Sequence, residues 1–283
     1  MFDNIRDKLS QNSILVENAL ANYYDCSDKD YQLLIEAQRY GLLGGGKRIR
    51  AFLVLEVCRL FGGEIKNALP YACAIEMIHT SSLIHDDMPC MDNDDMRRGK
   101  PSTHKAFGET LALLSGDAMM VYAFETALKN PFLEPLQNYR ALYILTESTG
   151  THGMLGGQAI DTVKGDKKLD FETLLRLHKL KTGMLISASA KLGCLAANVS
   201  NQDHRYAAVL KYAENIGLAF QVIDDILDYN EGKREENSFL SFMSLEEAKE
   251  YASKLTESGI EGIADYDDGT LTELARYLTA REY

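Results

Sequence analysis

Residues 212–228 read YAENIGLAFQVIDDILD. Apolar side chains fall at nearly every angle of a 3.6-residue turn, the pattern of a helix enclosed by other helices. The stretch 185–197, LISASAKLGCLAA, has the same character. Helical spacing recurs in 51–60, 71–84, 141–145, 184–195 and 206–226, whereas alternating strand patterns are hard to find. The five prolines stand at 70, 89, 101, 131 and 135, so residues 136–283 hold none. Proline removes a helix donor and clashes with the preceding turn, so a proline-free half rich in Ala, Leu, Glu and Lys favours long helices. The predicted fold is all-α, one domain over 1–283 with helices surrounding central ones, and no repeat or linker divides it.

The chain of 283 residues carries 30 Lys and Arg against 42 Asp and Glu, a net charge of −12. A general nucleic-acid binder needs a basic surface for counterion release, so that class is excluded. Hydrophobic residues make up 46% and charged residues 25%, far from the composition of a disordered chain. No uninterrupted apolar run reaches the roughly 18 residues of a membrane span, and MFDNIRDKLSQNS lacks the layout of a signal peptide, so a cytoplasmic protein is expected. The cysteines at 26, 58, 73, 90 and 194 form no CxxC pair and are odd in number, which suggests reduced thiols rather than zinc ligands or disulfides. Residues 231–283 carry 13 acidic and 6 basic side chains and read as solvated helix faces.

Five aspartates crowd into residues 86–95, DDMPCMDNDD, directly after the apolar helix IEMIHTSSLIH. At about 4 Å two carboxylates repel by roughly 1 kcal/mol in water and by more where water is partly excluded, so the cluster calls for cations. Asp86 and Asp87 end the helix and Pro89 prevents its regular continuation, which lets Asp92 fold back toward Asp86. Oxygen-only ligands suit Mg²⁺, which binds substrate phosphates through one or two carboxylates. A second cluster, Asp224, Asp225 and Asp228, lies in FQVIDDILD, with 224 and 228 on one helix face. Two acidic helical motifs from distant parts of the chain suggest opposing walls of one cavity, bridged by metal ions and a diphosphate. Fixed cations stand nearby in sequence. GGGKRIR, residues 44–50, presents Lys47, Arg48 and Arg50 after glycines that let backbone approach an anion, and Arg97 and Arg98 follow the aspartates. GGGKRIR is not a P-loop, because GxxxxGK[ST] and its strand are missing.

Taken in order, GGGKRIR, IHTSSLIHDDMPCMDNDDMRRGKPSTHKAFGE, GGQAIDT, HKLKTG and GLAFQVIDDILD resemble the trans-isoprenyl diphosphate synthases of the polyprenyl synthetase family, most closely bacterial farnesyl and geranylgeranyl diphosphate synthases, over residues 35–230. The resemblance implies an all-helical isoprenoid synthase fold around a deep cavity, a homodimer, and Mg²⁺-dependent head-to-tail condensation of isopentenyl diphosphate with dimethylallyl, geranyl or farnesyl diphosphate. It implies three Mg²⁺ per site, with Mn²⁺ as an alternative. Asp86 and Asp92 would bind two of them with Asp87 in support, and Asp224, grouped with Asp225 and Asp228, a third. Lys47, Arg50, His79 and Arg98 would hold isopentenyl diphosphate, and Arg97 and Lys181 the allylic diphosphate. Thr182 and Gln221 would face the developing cation, with Asp161 near cation and metals. His85 and His104 would orient or cap their neighbours. Ionisation builds negative charge on the leaving diphosphate, which fixed cations stabilise, while apolar walls keep water from the carbocation.

Ser81 and Ser82 lie five and four residues before Asp86, where farnesyl-producing relatives commonly carry an aromatic floor at the first position. The small Ser81 predicts growth past fifteen carbons to geranylgeranyl diphosphate, and a lower floor at Met119, Met120 and Tyr122 would give farnesyl diphosphate. The chain departs from the family at 229–245, NEGKREENSFLSFMS having Asn237 and Ser238 where relatives carry a lysine, with Lys233 or Arg234 as candidate substitutes. That departure supports an alternative, a weakly active or noncatalytic partner subunit. A terpene cyclase also uses DDxxD, but GGGKRIR and Arg98 serve a second diphosphate. An HD-type phosphohydrolase at His85–Asp86 would need further His and Asp ligands that the chain does not offer.

Overall fold

The computed structural model describes residues 2–25, 29–163, 168–232 and 237–280. Helices α1 (Asp3–Tyr23), α2 (Gln32–Leu42), α3 (Ile49–Leu60) and α4 (Ile65–Asp86) lead into a small antiparallel hairpin of β1 (Met96–Arg97) and β2 (Lys100–Pro101). There follow α5 (Thr103–Phe107), α6 (Glu109–Leu128), α7 (Pro135–Thr149), α8 (Met154–Val163) and α9 (Phe171–His178). A π turn, Lys179–Gly183, joins α9 to α10 (Met184–Ala196). Then come α11 (His204–Asn230), a 3-10 turn at Phe239–Ser241, α12 (Leu245–Ile263) and α13 (Thr270–Thr279). The all-α expectation holds.

The centre of the molecule agrees with the sequence reading for 185–197 and differs from it for 212–228. Every residue from Tyr71 to Ile78 in α4 is buried, as are most of Leu185–Ala196 in α10, so these two helices are the enclosed ones. Helix α11 buries Val209, Tyr212, Ala213, Ile216, Ala219, Val222, Ile223 and Ile226, spaced three and four apart, and leaves Lys211 and Glu214 in solvent. Its apparent all-round hydrophobicity comes from Leu218 and Phe220, each half-buried at the edge of a different apolar cluster. Pro70 lies inside α4 rather than at a boundary. It is the sixth residue of that helix, so its missing N–H leaves only the Lys66 carbonyl without its helical donor. Helix α6 is long and apolar enough, by length and composition, to cross a bilayer, although Asp117 interrupts it. In this fold one side of it packs along α4, with Ala112, Met119, Ala123 and Ala127 buried.

One buried ion pair ties four helices together. Arg48, at the N-terminus of α3, is 4% exposed and adopts the left-handed backbone conformation, φ 50°. Its guanidinium lies 3.3 Å from Glu76 of α4 and 3.2 Å from Glu17 of α1, and donates to the Leu42 carbonyl of α2 at 2.5 Å. Glu76 also accepts from the Ala51 amide at 3.1 Å, capping the first turn of α3. Removing one member of such a pair strands the other charge in the core. Arg48→Ala should therefore lose about 3–5 kcal/mol in urea unfolding; a loss below about 1 kcal/mol would show that Glu76 finds other compensation.

Candidate active site

Helices α3, α4, α6 and α8, the π turn and α10 enclose a cavity of about 390 Å³. Its α4 wall is the stripe His79, Ser82, Leu83 and Asp86, set by helical spacing of three and four. Arg50, Lys181 and Thr182 join them, and Leu113, Met154, Leu155 and Leu185 form an apolar part. Ser82 is in the wall, whereas Ser81 is fully buried and its Oγ donates to the Ile78 carbonyl at 2.8 Å. Adjacent helical residues point about 100° apart, so one of two neighbouring serines must turn away. Met119, Met120 and Tyr122 do not reach the cavity either.

The aspartate loop folds back as its spacing predicts, with the Asp92 amide donating to the Asp86 carbonyl at 2.9 Å and Asn93 left-handed at φ 55°. Asp86 faces the cavity; Asp87 is 2% exposed and its carboxylate accepts from Nε (2.9 Å) and Nη2 of Arg97. Arg97 also reaches Asp94 at 3.0 Å, so the predicted diphosphate ligand and the predicted supporting acid hold each other. Burial pushes the Asp86 carboxyl up to about 6, with Lys181 opposing and the charge of Asp92 adding. Asp92 is also raised, again chiefly by burial. Among the described residues no three His, Cys, Asp or Glu side chains converge to hold an ion by themselves. The donor set still fits Mg²⁺: oxygen-only, raised in proton affinity by burial, and open to the water and phosphate ligands that this ion keeps.

The cations gather on the α3 and α4 side. Arg50 lines the cavity with its Nε buried and bonded to no acceptor. Arg98, left-handed at φ 53°, donates from Nη1 to the Gly45 carbonyl. Gly46 has φ 123°, a backbone that favours glycine, and a Cβ there would also press on the Arg98 guanidinium, 3.0 Å from its Cζ. Of the three basic residues in GGGKRIR, Arg48 is structural, Arg50 faces the cavity, and Lys47 lies outside the cavity wall with its Nζ 4.9 Å over the Tyr277 ring of α13. Sequence reasoning missed Tyr277, because nothing local brings a C-terminal tyrosine to a residue 230 positions earlier. Burial holds the His79 imidazole well below its ordinary value, helped by Arg50, Arg98, Arg48 and Arg97.

The π turn carries Lys181 to Asp161, 2.7 Å away. Burial works against the Lys181 charge and is outweighed by Asp161, Asp86 and Asp92. Gly157 of α8 packs so closely on the turn that a Cβ would stand 2.3 Å from the Lys181 amide nitrogen. Gln221 is outside the cavity wall, its Oε1 3.1 Å from His178 Nδ1. Asp224, Asp225 and Asp228 are likewise absent from that wall. Asp225 instead accepts from the Phe239 amide at 2.7 Å and anchors the 3-10 turn. Lys233 and Arg234 lie outside the described residues, and Asn237 accepts from the Leu169 amide at 2.9 Å. His104 Nδ1 lies 3.0 Å from the Ser102 hydroxyl, and His85 Nε2 lies 3.2 Å from the Leu113 carbonyl. The arrangement joins an acidic loop and a cation cluster to an apolar chamber, and so receives a polyanion attached to a hydrocarbon.

Residues 31–238 match the polyprenyl synthetase family. The chain is 41% identical over 268 residues to the large subunit 1 of a heterodimeric geranylgeranyl pyrophosphate synthase of Arabidopsis thaliana, covering 87% of this chain and 72% of the relative. It is 42% identical over 259 residues to a geranylgeranyl diphosphate synthase of Cyanophora paradoxa, covering 86% and 85%. Among solved structures, an apo FPP/GFPP synthase from Zymomonas mobilis superposes with a TM-score of 0.91 at 37% identity, covering 99% of this chain and 100% of that one. A geranyltransferase from Legionella pneumophila superposes at 0.89 with 33% identity, covering 99% and 97%.

The state of His79 is open to measurement. In the unfolded chain it takes up a proton near the ordinary value of 6.5, while in the fold it resists, so stability is kept above that pH and lost as pH falls below it. Asp86, held up to about 6, gains a proton in the fold over the same range and works the other way, so the readout is a difference: from pH 7 to pH 5 the parent's urea midpoint should fall relative to that of His79→Gln. An equal fall in the variant would assign it to other groups.

Proposed function

The chain belongs to the polyprenyl synthetase family, and on that premise we propose that it is a short-chain trans-prenyl diphosphate synthase, joining isopentenyl diphosphate head-to-tail to allylic diphosphates. The observation that carries this reading is the cavity itself: Asp86, Lys181 and Arg50 line the same space as Leu113, Met154 and Leu185. Arg50, His79 and Arg98 hold the isopentenyl diphosphate, with Lys47 swinging from Tyr277 to join them. Lys181 and Arg97 take the allylic diphosphate as they leave Asp161 and Asp87. Asp86 and Asp92 are the residues that would hold Mg²⁺, which when bound neutralises charge on the leaving diphosphate. Thr182 lies next to Lys181 at the point where the allylic carbon would ionise, and the apolar walls exclude water while the isopentenyl double bond attacks. The departing diphosphate removes the final proton, since Asp86 is given to the metal, His79 to isopentenyl diphosphate, and His85 rests on the Leu113 carbonyl. With the small Ser82 in the wall, the product is geranylgeranyl diphosphate.

A homodimer accompanies this function. Leu114, Val121 and Leu128 are exposed at seven-residue intervals along α6, and Leu136, Tyr139 and Tyr143 form a second exposed stripe on the adjoining α7. Asp117 and Glu125 lie between the apolar residues of α6, and such a surface, apolar with charges set into it, fits an association face.

Purified chain given dimethylallyl and isopentenyl diphosphates should release diphosphate in a chelator-sensitive reaction and yield C20 product. Asp86→Asn should cut turnover by about 100-fold or more, and Ser82→Tyr should shorten the product. No turnover with any allylic primer would favour the partner-subunit reading, and unchanged length in Ser82→Tyr would place the floor elsewhere. In sedimentation, the chain should run as a dimer and Val121→Glu as a monomer; a monomeric parent would refute the α6–α7 seam.

A further inference from the structure

A second cavity of about 350 Å³ lies on the other side of the π turn, among α9, α10, α11 and α12. The turn is shared between the two. Lys181 and Thr182 line the active-site cavity, whereas Lys179 and Gly183 line the second. His178, just before the turn, also lines the second cavity while its ring bonds Gln221 at 3.1 Å. On the front side Gly157 packs against the Lys181 backbone with no room for a methyl group, so the turn is clamped there and any displacement must be taken up on the back side. A π turn in a helix is a local departure from the regular ladder and a frequent seat of functional adjustment.

The walls indicate the ligand. Leu175, Met184, Leu218 and Leu255 give a mainly apolar chamber, and Lys179 and Lys191 bring two ammonium groups against one carboxylate, Glu214. The size is that of a small-molecule site, and an apolar chamber with a net cationic lining matches a single hydrocarbon chain ending in an anionic head. We propose that this back cavity binds such an amphiphilic anion, a prenyl phosphate or a fatty carboxylate, and that its occupancy fills the room into which the π turn yields, holding Lys181 and Thr182 in place and slowing the reaction. The effect on turnover rests on the synthase reading; the binding does not. The coupling is limited to the ligand's difference in affinity for the two positions of the turn.

Calorimetric titration of the intact chain with farnesyl monophosphate and, separately, with palmitate tests the site. One equivalent per chain should bind at the back, lost when Leu255→Trp fills the chamber and weakened about tenfold by Lys191→Glu, the loss of a half-buried ion pair with reversal of its sign. Which probe binds tells the source of the head group. Binding of neither, or binding unchanged in both variants, overturns the proposal. In the parent, the bound amphiphile should lower kcat with the allylic KM unchanged, an effect absent from both variants, whose basal activity is intact. Inhibition that is purely competitive and survives both substitutions also overturns it. Back-site binding by a chain with no turnover would sustain the site and sink only the synthase reading.

Discussion

The Arg48–Glu76 pair is the constraint from which the site is organised. By drawing the middle cation of GGGKRIR into the core, it fixes where α3 begins and on which sides its neighbours emerge. Lys47 is left outside and Arg50 enters the cavity. The same Glu76 carboxylate caps α3 and lies in the fully buried segment of α4, so the helix that supplies His79, Ser82 and Asp86 is registered against the one that supplies Arg50 by a single acid. A buried pair of this kind adds little net stability over an apolar substitute, yet breaking it is costly. Its value here is positional.

Backbone strain is concentrated in the same region. Three of the four described non-glycine residues with positive φ, Arg48, Asn93 and Arg98, belong to the loops that gather around the cavity. Each costs of order 1 kcal/mol or more and persists only where its surroundings hold it. Arg48 is held by its acids, and Arg98 by the Gly45 carbonyl. The acidic loop and the glycine loop are thereby fastened together before any substrate arrives.

Much of this was legible in the chain. Apolar spacing located helices α3, α4, α7, α10 and α11, and Pro89 foretold the return of Asp92 to Asp86. What the sequence could not convey were relations between distant segments. Which of Arg48 and Arg50 turns inward depends on Glu76, and the contact of Lys47 depends on Tyr277. The choice between Ser81 and Ser82 depends on the angle at which α4 is set, a rotation of about 100° that spacing alone leaves undetermined. Asp225 looked equivalent to Asp224 until the Phe239 amide took its carboxylate. The π turn in HKLKTG leaves no compositional trace, since its residues are ordinary helix formers apart from the last.

The pairings around the cavity have one further consequence. Arg97 rests on Asp87, Lys181 on Asp161 and Arg98 on a carbonyl, so these three cations already have partners, whereas the Arg50 Nε does not. Loading with a diphosphate and its counterions is then an exchange of partners, in which acids pass to the metal and bases to the phosphate. The contacts made to the diphosphate thus replace contacts that already exist rather than adding to bare charges, so part of what the site gains on binding is given back, and the inorganic product departs more readily than from a row of unpaired cations.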